Sequence, residues 1–250
     1  MNSIILPKFL LGILALIIVI AISLFLLIAL LTSPAPTSVS ALSVDLPVES
    51  IQIPMTENSL VQGWLSYGKP GKGVVLLVHS MRSNRVEMLS RARFLRDHGY
   101  TTLMIDLHAH GETPGEKITF GSRESENVSA AVKYLRKKFP QERIGALGAS
   151  LGGAAIVLAQ TDKPFDAVIL ESLHATLEEA INNRLKLHLG EYGSLLLPIV
   201  LFQFSFFIDT PVNELDPISR IGNLNAPVFF ISGTDDMHTT PSEVERMYAA

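Results

Sequence analysis

Hydrophobic positions fall into two regimes along the chain. From Phe9 to Leu31 no residue is charged and nearly all are aliphatic. These 23 residues predict a helix that is apolar all round. It would be roughly 35 Å long at a rise of ~1.5 Å per residue, against a bilayer hydrocarbon core of ~30 Å. From about residue 48 the pattern changes to short apolar runs separated by amphipathic stretches. Ile51-Gln52-Ile53 and Leu60 to Leu65 read as a pair of opening strands. Gly73 to His79 (GVVLLVH) is a continuous apolar run, as expected of a central strand covered on both faces. Val86 to His98 predicts a helix with Met88, Ala92 and Leu95 on one face and Gly99 as its stop. Thr101 to Leu107 reads as the next strand. Ser122 to Phe139 is an amphipathic helix striped by Val128, Ala131, Val132, Leu135 and Phe139, and Pro140 ends it. Arg143 to Ala149 is a strand running into Ser150, and Leu151 to Gln160 a helix opening on small residues. Asp166 to Glu171 and Ala226 to Ile231 are two further buried strands.

Strands alternating with helices of this length predict an α/β domain, with a mostly parallel sheet and helices on both faces. The organisation expected is a transmembrane anchor over 1–31, a linker over 32–47 and one domain over 48–250.

The first segment is longer than the ~7–15 apolar residues of a secretory signal, which favours an uncleaved signal anchor. The small-residue run Val39-Ser40-Ala41 keeps a cleaved signal open. Lys8 precedes the apolar run, while Thr32 to Gly68 carries Asp45, Glu49 and Glu57 but no Lys or Arg. The positive-inside rule then puts the N-terminus in the cytoplasm and the domain outside, as a single-pass membrane protein. Thr32 to Ser43 (TSPAPTSVSALS) reads as a short linker off the membrane.

Charge narrows the partners. The net charge is −4 and no basic block stands out, which argues against nucleic acid. The chain has no cysteine, which excludes disulfides, thiolate nucleophiles and cysteine metal sites.

The candidate chemistry sits in GALGASLGGAA, residues 145–155. Gly148-Ala149-Ser150-Leu151-Gly152 has the Gly-x-Ser-x-Gly form. By composition that pattern arises by chance in about one chain in ten of this length, so its context decides. Here a strand precedes it and a helix follows, as the sharp turn that lifts a nucleophilic serine requires. The glycines let backbone approach backbone. In a parallel sheet, sites form at the C-terminal strand ends, and Ser150 lies at one.

Five segments carry a resemblance: LLVHSMRSNR (76–85), DLHAHGET (106–113), GASLGG (148–153), ESLHATLEEA (171–180) and ISGTDDMHTT (231–240). In order and spacing they resemble the α/β-hydrolase superfamily, in its serine aminopeptidase-like and esterase-like bacterial branch. The resemblance implies that fold, with a helical cap, and hydrolysis of an ester or amide through an acyl-enzyme, without a cofactor or metal. It makes Ser150 the nucleophile. The backbone N–H groups of Leu151 and Met81 would form the oxyanion hole. The family usually has glycine where this chain has Ser80. Asp236 matches the acid, three residues beyond Gly233. Asp235 is its nearest rival and Glu171 a distant one.

Which histidine serves as base is a separate question, since the chain has seven. His79 and His110 match family positions of structural or packing type. His98 ends a helix, His108 shares a loop with His110, His174 stands where the family often has an aromatic, and His188 falls in the cap. His238 follows Asp236 too closely. The superfamily order is serine, acid, histidine, with the histidine after one more helix and strand. Thr240-Pro241-Ser242-Glu243 predicts a helix start, and the sequence stops at Ala250. The expectation is a C-terminally incomplete domain, with the last strand and the catalytic histidine beyond residue 250.

Between Glu171 and Ala226 lies a segment far longer than an ordinary connection, read as a cap over about 176–220. It contains SLLLPIVLFQFSFFI (194–208), too short to span a bilayer comfortably. It reads as a lid helix over the pocket, as an acyl-chain pocket, or as a face dipping into the membrane. Two functions follow. The first is a membrane-anchored serine hydrolase acting on a small-molecule ester, lipid or peptide, held to the membrane through residues 9–31. The second is a catalytically impaired hydrolase-like domain that binds an apolar ligand or partner at the membrane.

Overall fold

The structure, a computed structural model, describes residues 2–40, 45–56 and 59–250, with side chains outside 2–7 and Thr56. Ala41, the end of the small-residue run, Ser43 at the end of the linker and the acidic Glu57 lie outside the described residues.

Helix α1 (Asn2–Thr32) covers the whole apolar run. The segment after it does not hang free. Strand β1 (Ala35–Pro36) pairs in parallel with the short β6 (His110–Gly111). The amide of Val39 donates to Glu112 at 3.2 Å. The stretch read as linker is thus laid along the domain by its own backbone groups.

Among the described residues seven strands form one mixed sheet. β2 (Glu49–Thr56) and β3 (Ser59–Ser66) are an antiparallel hairpin. β3 pairs antiparallel with β5 (Thr101–Ile105). From there β4 (Val74–Val78), β7 (Ile144–Ala149), β8 (Ala167–Glu171) and β9 (Val228–Ile231) run parallel, in the order β2-β3-β5-β4-β7-β8-β9. Alternation along each strand divides the core. Val74, Leu76 and Val78 face the layer holding α3 (Ser122–Lys138) and α4 (Leu151–Leu158). Leu77, Met104 and Leu147 face α2 (Leu89–Asp97), through Met88, Leu89 and Ala92.

Several expected elements are shorter than the pattern indicates, and for two of them side-chain hydrogen bonds show why. The helix expected from Val86 begins as a 3-10 turn, Arg85–Met88, because the Asn84 side chain accepts from the Val86 amide. The strand expected to reach Leu107 stops at Ile105, because the Leu107 amide turns to donate to the His79 ring at 3.0 Å. The cap holds α5 (Leu177–Leu189), a 3-10 segment Glu191–Leu196 and α6 (Leu197–Phe204). Helix α7 (Pro241–Ala249) starts at the expected proline, and the Thr240 amide donates to Glu243 at 3.2 Å.

Candidate active site

Ser150 occupies the corner between β7 and α4 with φ +48° and ψ −111°. That combination lies outside the left-handed well that tolerates a side chain, and such strain costs about 1–3 kcal/mol. The corner persists because its surroundings hold it. The Ser150 amide donates to the Glu171 carbonyl of the next strand at 2.8 Å. A Cβ at Gly148 would come within 2.6 Å of the Gly152 carbonyl, and one at Gly152 within 2.7 Å of the His79 carbonyl oxygen. The two glycines therefore admit no side chain. The second contact also shows that the start of α4 is pressed onto the loop after β4. The serine is half-buried, and its hydroxyl makes no hydrogen bond to another described residue.

That loop carries Met81. The amides on either side of it are engaged. Ser80 donates its N–H to Glu87 at 3.0 Å, and Arg82 donates its N–H to the His110 ring at 2.9 Å. Among the described residues the Met81 and Leu151 amides have no partner. Two N–H groups therefore remain unengaged, one on each of the elements that meet at Gly152. Ser80, standing where glycine is usual, is accommodated by Glu87, which accepts its hydroxyl at 2.7 Å as well as its amide. Burial works against ionisation of Glu87, but the Ser80 hydroxyl and amide outweigh it and hold its pKa below the ordinary value.

Two histidines brace this loop. His79 donates through Nδ1 to the Ser80 carbonyl at 2.7 Å and accepts the Leu107 amide at Nε2. His110 donates through Nδ1 to the His108 carbonyl at 2.7 Å and accepts Arg82. Burial pulls the pKa of each down to about 4. Both rings are neutral at pH 7 with both nitrogens used, which leaves no lone pair for a serine proton. Deeper still, Arg85 lies 4.6 Å over the Trp64 ring, pairs with Asp106 and Glu112, and donates its amide to Asp106 at 2.7 Å.

Asp236 lies on the loop after β9, two strands across the sheet from Ser150. The Ser172 amide reaches the Ile231 carbonyl at 2.8 Å, and the Thr239 hydroxyl reaches the Ser172 carbonyl at 3.2 Å. These bonds carry the Asp236 loop back to the same strand ends. Asp236 is half-buried. Its Oδ1 accepts the His238 and Thr239 amides at 2.8 and 3.0 Å. Burial opposes its ionisation, yet the Thr239 and His238 amides prevail and keep its pKa below the usual carboxylate value. Asp235 is exposed. Glu171 is taken by Arg91, which donates Nε to both carboxylate oxygens at 3.1 and 2.9 Å.

No hydrogen bond among the described residues joins Ser150 to Asp236 or to a histidine. His174 is buried with Nε2 unpartnered, and burial lowers its pKa to about 4. His98 is exposed and donates to the Phe94 carbonyl, while His188 and His238 are exposed. Burial lowers the pKa of His108. A surface groove of about 520 Å³ lies elsewhere, between α5 and α7, and includes none of the expected site residues.

Sequence reading missed Arg82 as a link. Its Nη1 donates to the Leu30 and Ser33 carbonyls at 2.9 and 3.1 Å, tying the loop of Met81 to the end of α1.

Known proteins match this architecture. A family model described as serine aminopeptidase, S33, matches residues 69–198. An uncharacterised Bacillus subtilis protein, YqkD, is 26% identical over 178 residues, which is 70% of this chain. The aligned part spans 58% of the length of that curated relative. The Pyrococcus furiosus esterase Pf2001 superposes with a TM-score of 0.68 at 23% identity, covering 87% of this chain and 83% of that one. An acylaminoacyl peptidase of Pyrococcus horikoshii gives 0.60 at 16%, over 83% and 35%. Est1E of Butyrivibrio proteoclasticus, solved with ferulic acid, gives 0.59 at 17%, over 79% and 84%. At such identities these structures establish a shared fold.

Proposed function

Because this chain belongs to the serine aminopeptidase S33 family of α/β hydrolases, we propose that it is a membrane-anchored serine hydrolase that cleaves an ester or amide through an acyl-enzyme on Ser150. The observation that carries this is the strained Ser150 corner, pressed onto the loop of Met81; the unengaged Met81 and Leu151 amides are the donors this reading assigns to it. Ser150 Oγ attacks the substrate carbonyl. The two amides take up the negative charge that develops on its oxygen, and losing one such donor typically costs ~2.7–4 kcal/mol of barrier lowering. Asp236, held ionised, orients and stabilises an imidazole placed between it and Ser150. That imidazole takes the serine proton and passes it to the alcohol or amine, which leaves as the tetrahedral intermediate collapses to the acyl-enzyme. Water, deprotonated in the same way, then attacks the acyl carbonyl, releasing the acid and restoring the Ser150 hydroxyl. The substrate class is an ester, lipid or peptide of small size.

Helix α1 supports retention at the membrane. Its span Lys8–Thr32 is long and apolar enough to cross a bilayer, by length and composition. A signal sequence near an N-terminus has the same composition, but α1 also has built contacts with the domain. Gln203 of the cap donates to the Ala21 carbonyl at 2.9 Å and Arg82 holds the Leu30 carbonyl. With Lys8 at the N-terminal end of the span, the positive-inside rule puts the domain outside the cytoplasm.

The second reading, a hydrolase-like domain that binds an apolar ligand or partner, is supported by the observation that no histidine among the described residues is bonded to Ser150. Labelling by a fluorophosphonate in native membranes separates the two. The enzyme labels at Ser150, and the binding domain does not label.

A further inference from the structure

Helix α6 packs against α1 well inside the apolar span, not at its end. Gln203 donates to the Ala21 carbonyl, and the Phe207 ring packs at a tilt against Phe25 with centroids 4.8 Å apart. Ile28 is buried in one cluster with Val200, Phe204 and Ile208. Ala21 lies eleven residues before Thr32, about 16 Å along a helix rising ~1.5 Å per residue, which is near half of a ~30 Å hydrocarbon core.

The polar groups sit at the other end of this contact. The Ile118 amide donates to the Thr32 carbonyl at 2.7 Å, which places Lys117 beside the end of α1, and Arg82 caps the same end. Lys117 reaches Asp209 at 3.7 Å. Moving back from Asp209, the chain descends along α1 to Ile208, Phe207 and Gln203. Between Glu191 and Asp209 no residue is charged. Leu195, Phe202 and Phe206 are 74%, 67% and 63% exposed. The amides of Phe206, Phe207 and Ile208 return to the Gln203 and Phe204 carbonyls. Backbone bonded within its own segment is what a hydrocarbon environment demands.

On the reading that α1 spans a bilayer, we infer that the α6 end of the cap is itself embedded in that bilayer. Leu195, Phe202 and Phe206 meet the acyl chains of the leaflet from which α1 emerges, and Arg82 and Lys117 stand at the level of the lipid phosphates. The occupant of this face is lipid, because the helix it rests on fixes its depth.

The chain has no cysteine, so single labels can be placed at will. Full-length protein carrying an environment-sensitive fluorophore at F202C or F206C is reconstituted into phosphatidylcholine vesicles, with L26C as a marker of the span. K137C, on the exposed far end of α3, marks the aqueous side. Doxyl groups carried midway along the acyl chain should remove most of the emission at 202 and 206, as at 26, while aqueous iodide quenches only 137. Iodide quenching at 202 and 206 with lipid quenching at 26 overturns the embedding and leaves the anchor standing. Labels at 202 and 206 shielded from both quenchers mean that a second copy or another part of the protein covers the face, which also overturns it. Aqueous quenching at 26 removes the anchor and the embedding together.

Discussion

The amide of Ser150 donates to the carbonyl oxygen of Glu171 at 2.8 Å while its own carbonyl accepts the Ala154 amide at 3.0 Å, so the residue at the strand-to-helix corner is pinned on one side by the neighbouring strand and on the other by its own helix. Its side chain is thereby left free at the C-terminal edge of the sheet. Among the described residues the Met81 and Leu151 amides have no partner.

That corner predicts a split between activity and stability. Ser150→Gly removes both the hydroxyl and the side chain that disfavours a positive φ, so it should abolish turnover while raising stability by about 1 kcal/mol. Ser150→Ala should abolish turnover without the gain. Thermal melts of the two variants check this, and equal stabilities would argue that the φ +48° geometry carries no strain.

Gly152 should tolerate nothing larger. A Cβ there would collide with the Val78 carbonyl oxygen and lie 2.7 Å from that of His79, and both are backbone atoms. Gly152→Ala should destabilise by about 1–3 kcal/mol or more, as overpacking does. A denaturation midpoint equal to that of the parent would mean that α4 and the loop of Met81 are not in contact.

Stability should fall in mild acid. The pKa values of His79, His110 and His174 are lowered from 6.5 to about 4, in each case first by burial. Above pH 6.5 these rings are neutral in both folded and unfolded chains. Between 6.5 and 4 the unfolded chain binds protons that the folded one refuses, so stability drops as pH falls through this window, by up to about 3 kcal/mol per histidine. Denaturant titrations at pH 7 and pH 5 measure the drop. A midpoint that stays level would show that the three rings are not held neutral.

His110→Ala should act on rate more than on binding. It takes away the acceptor of the Arg82 amide and loosens the loop that carries Met81, the proposed oxyanion donor. The expected result is a kcat lowered about tenfold or more with KM little changed, since the donor matters most where negative charge develops. A rise in KM alone would place the effect in substrate binding.

Most of the sheet is legible in the sequence because each buried strand is a continuous apolar run and each covering helix carries a stripe. Leu76 and Leu77 face opposite layers, and both must be apolar. The Gly148 and Gly152 spacing marks the corner for a similar local reason. Contacts made by backbone atoms across long sequence distances leave no such trace. Ala35–Pro36 pairs with His110–Gly111, and Arg82 caps α1, yet neither alters any periodicity. Ser80 departs from the glycine usual at its position, and only the fold reveals Glu87 folded back to accept it. The packing of α6 on α1 is equally hidden, because an apolar residue facing lipid and one facing another helix look alike in sequence.

The most direct test is the site of covalent modification. Native membranes containing the full protein are treated with a fluorophosphonate, and the modified peptide is sequenced by mass spectrometry. A single adduct on Ser150 is expected, lost in Ser150→Ala and strongly reduced in Asp236→Asn. An adduct on another residue, or none in protein shown to be folded, would contradict it.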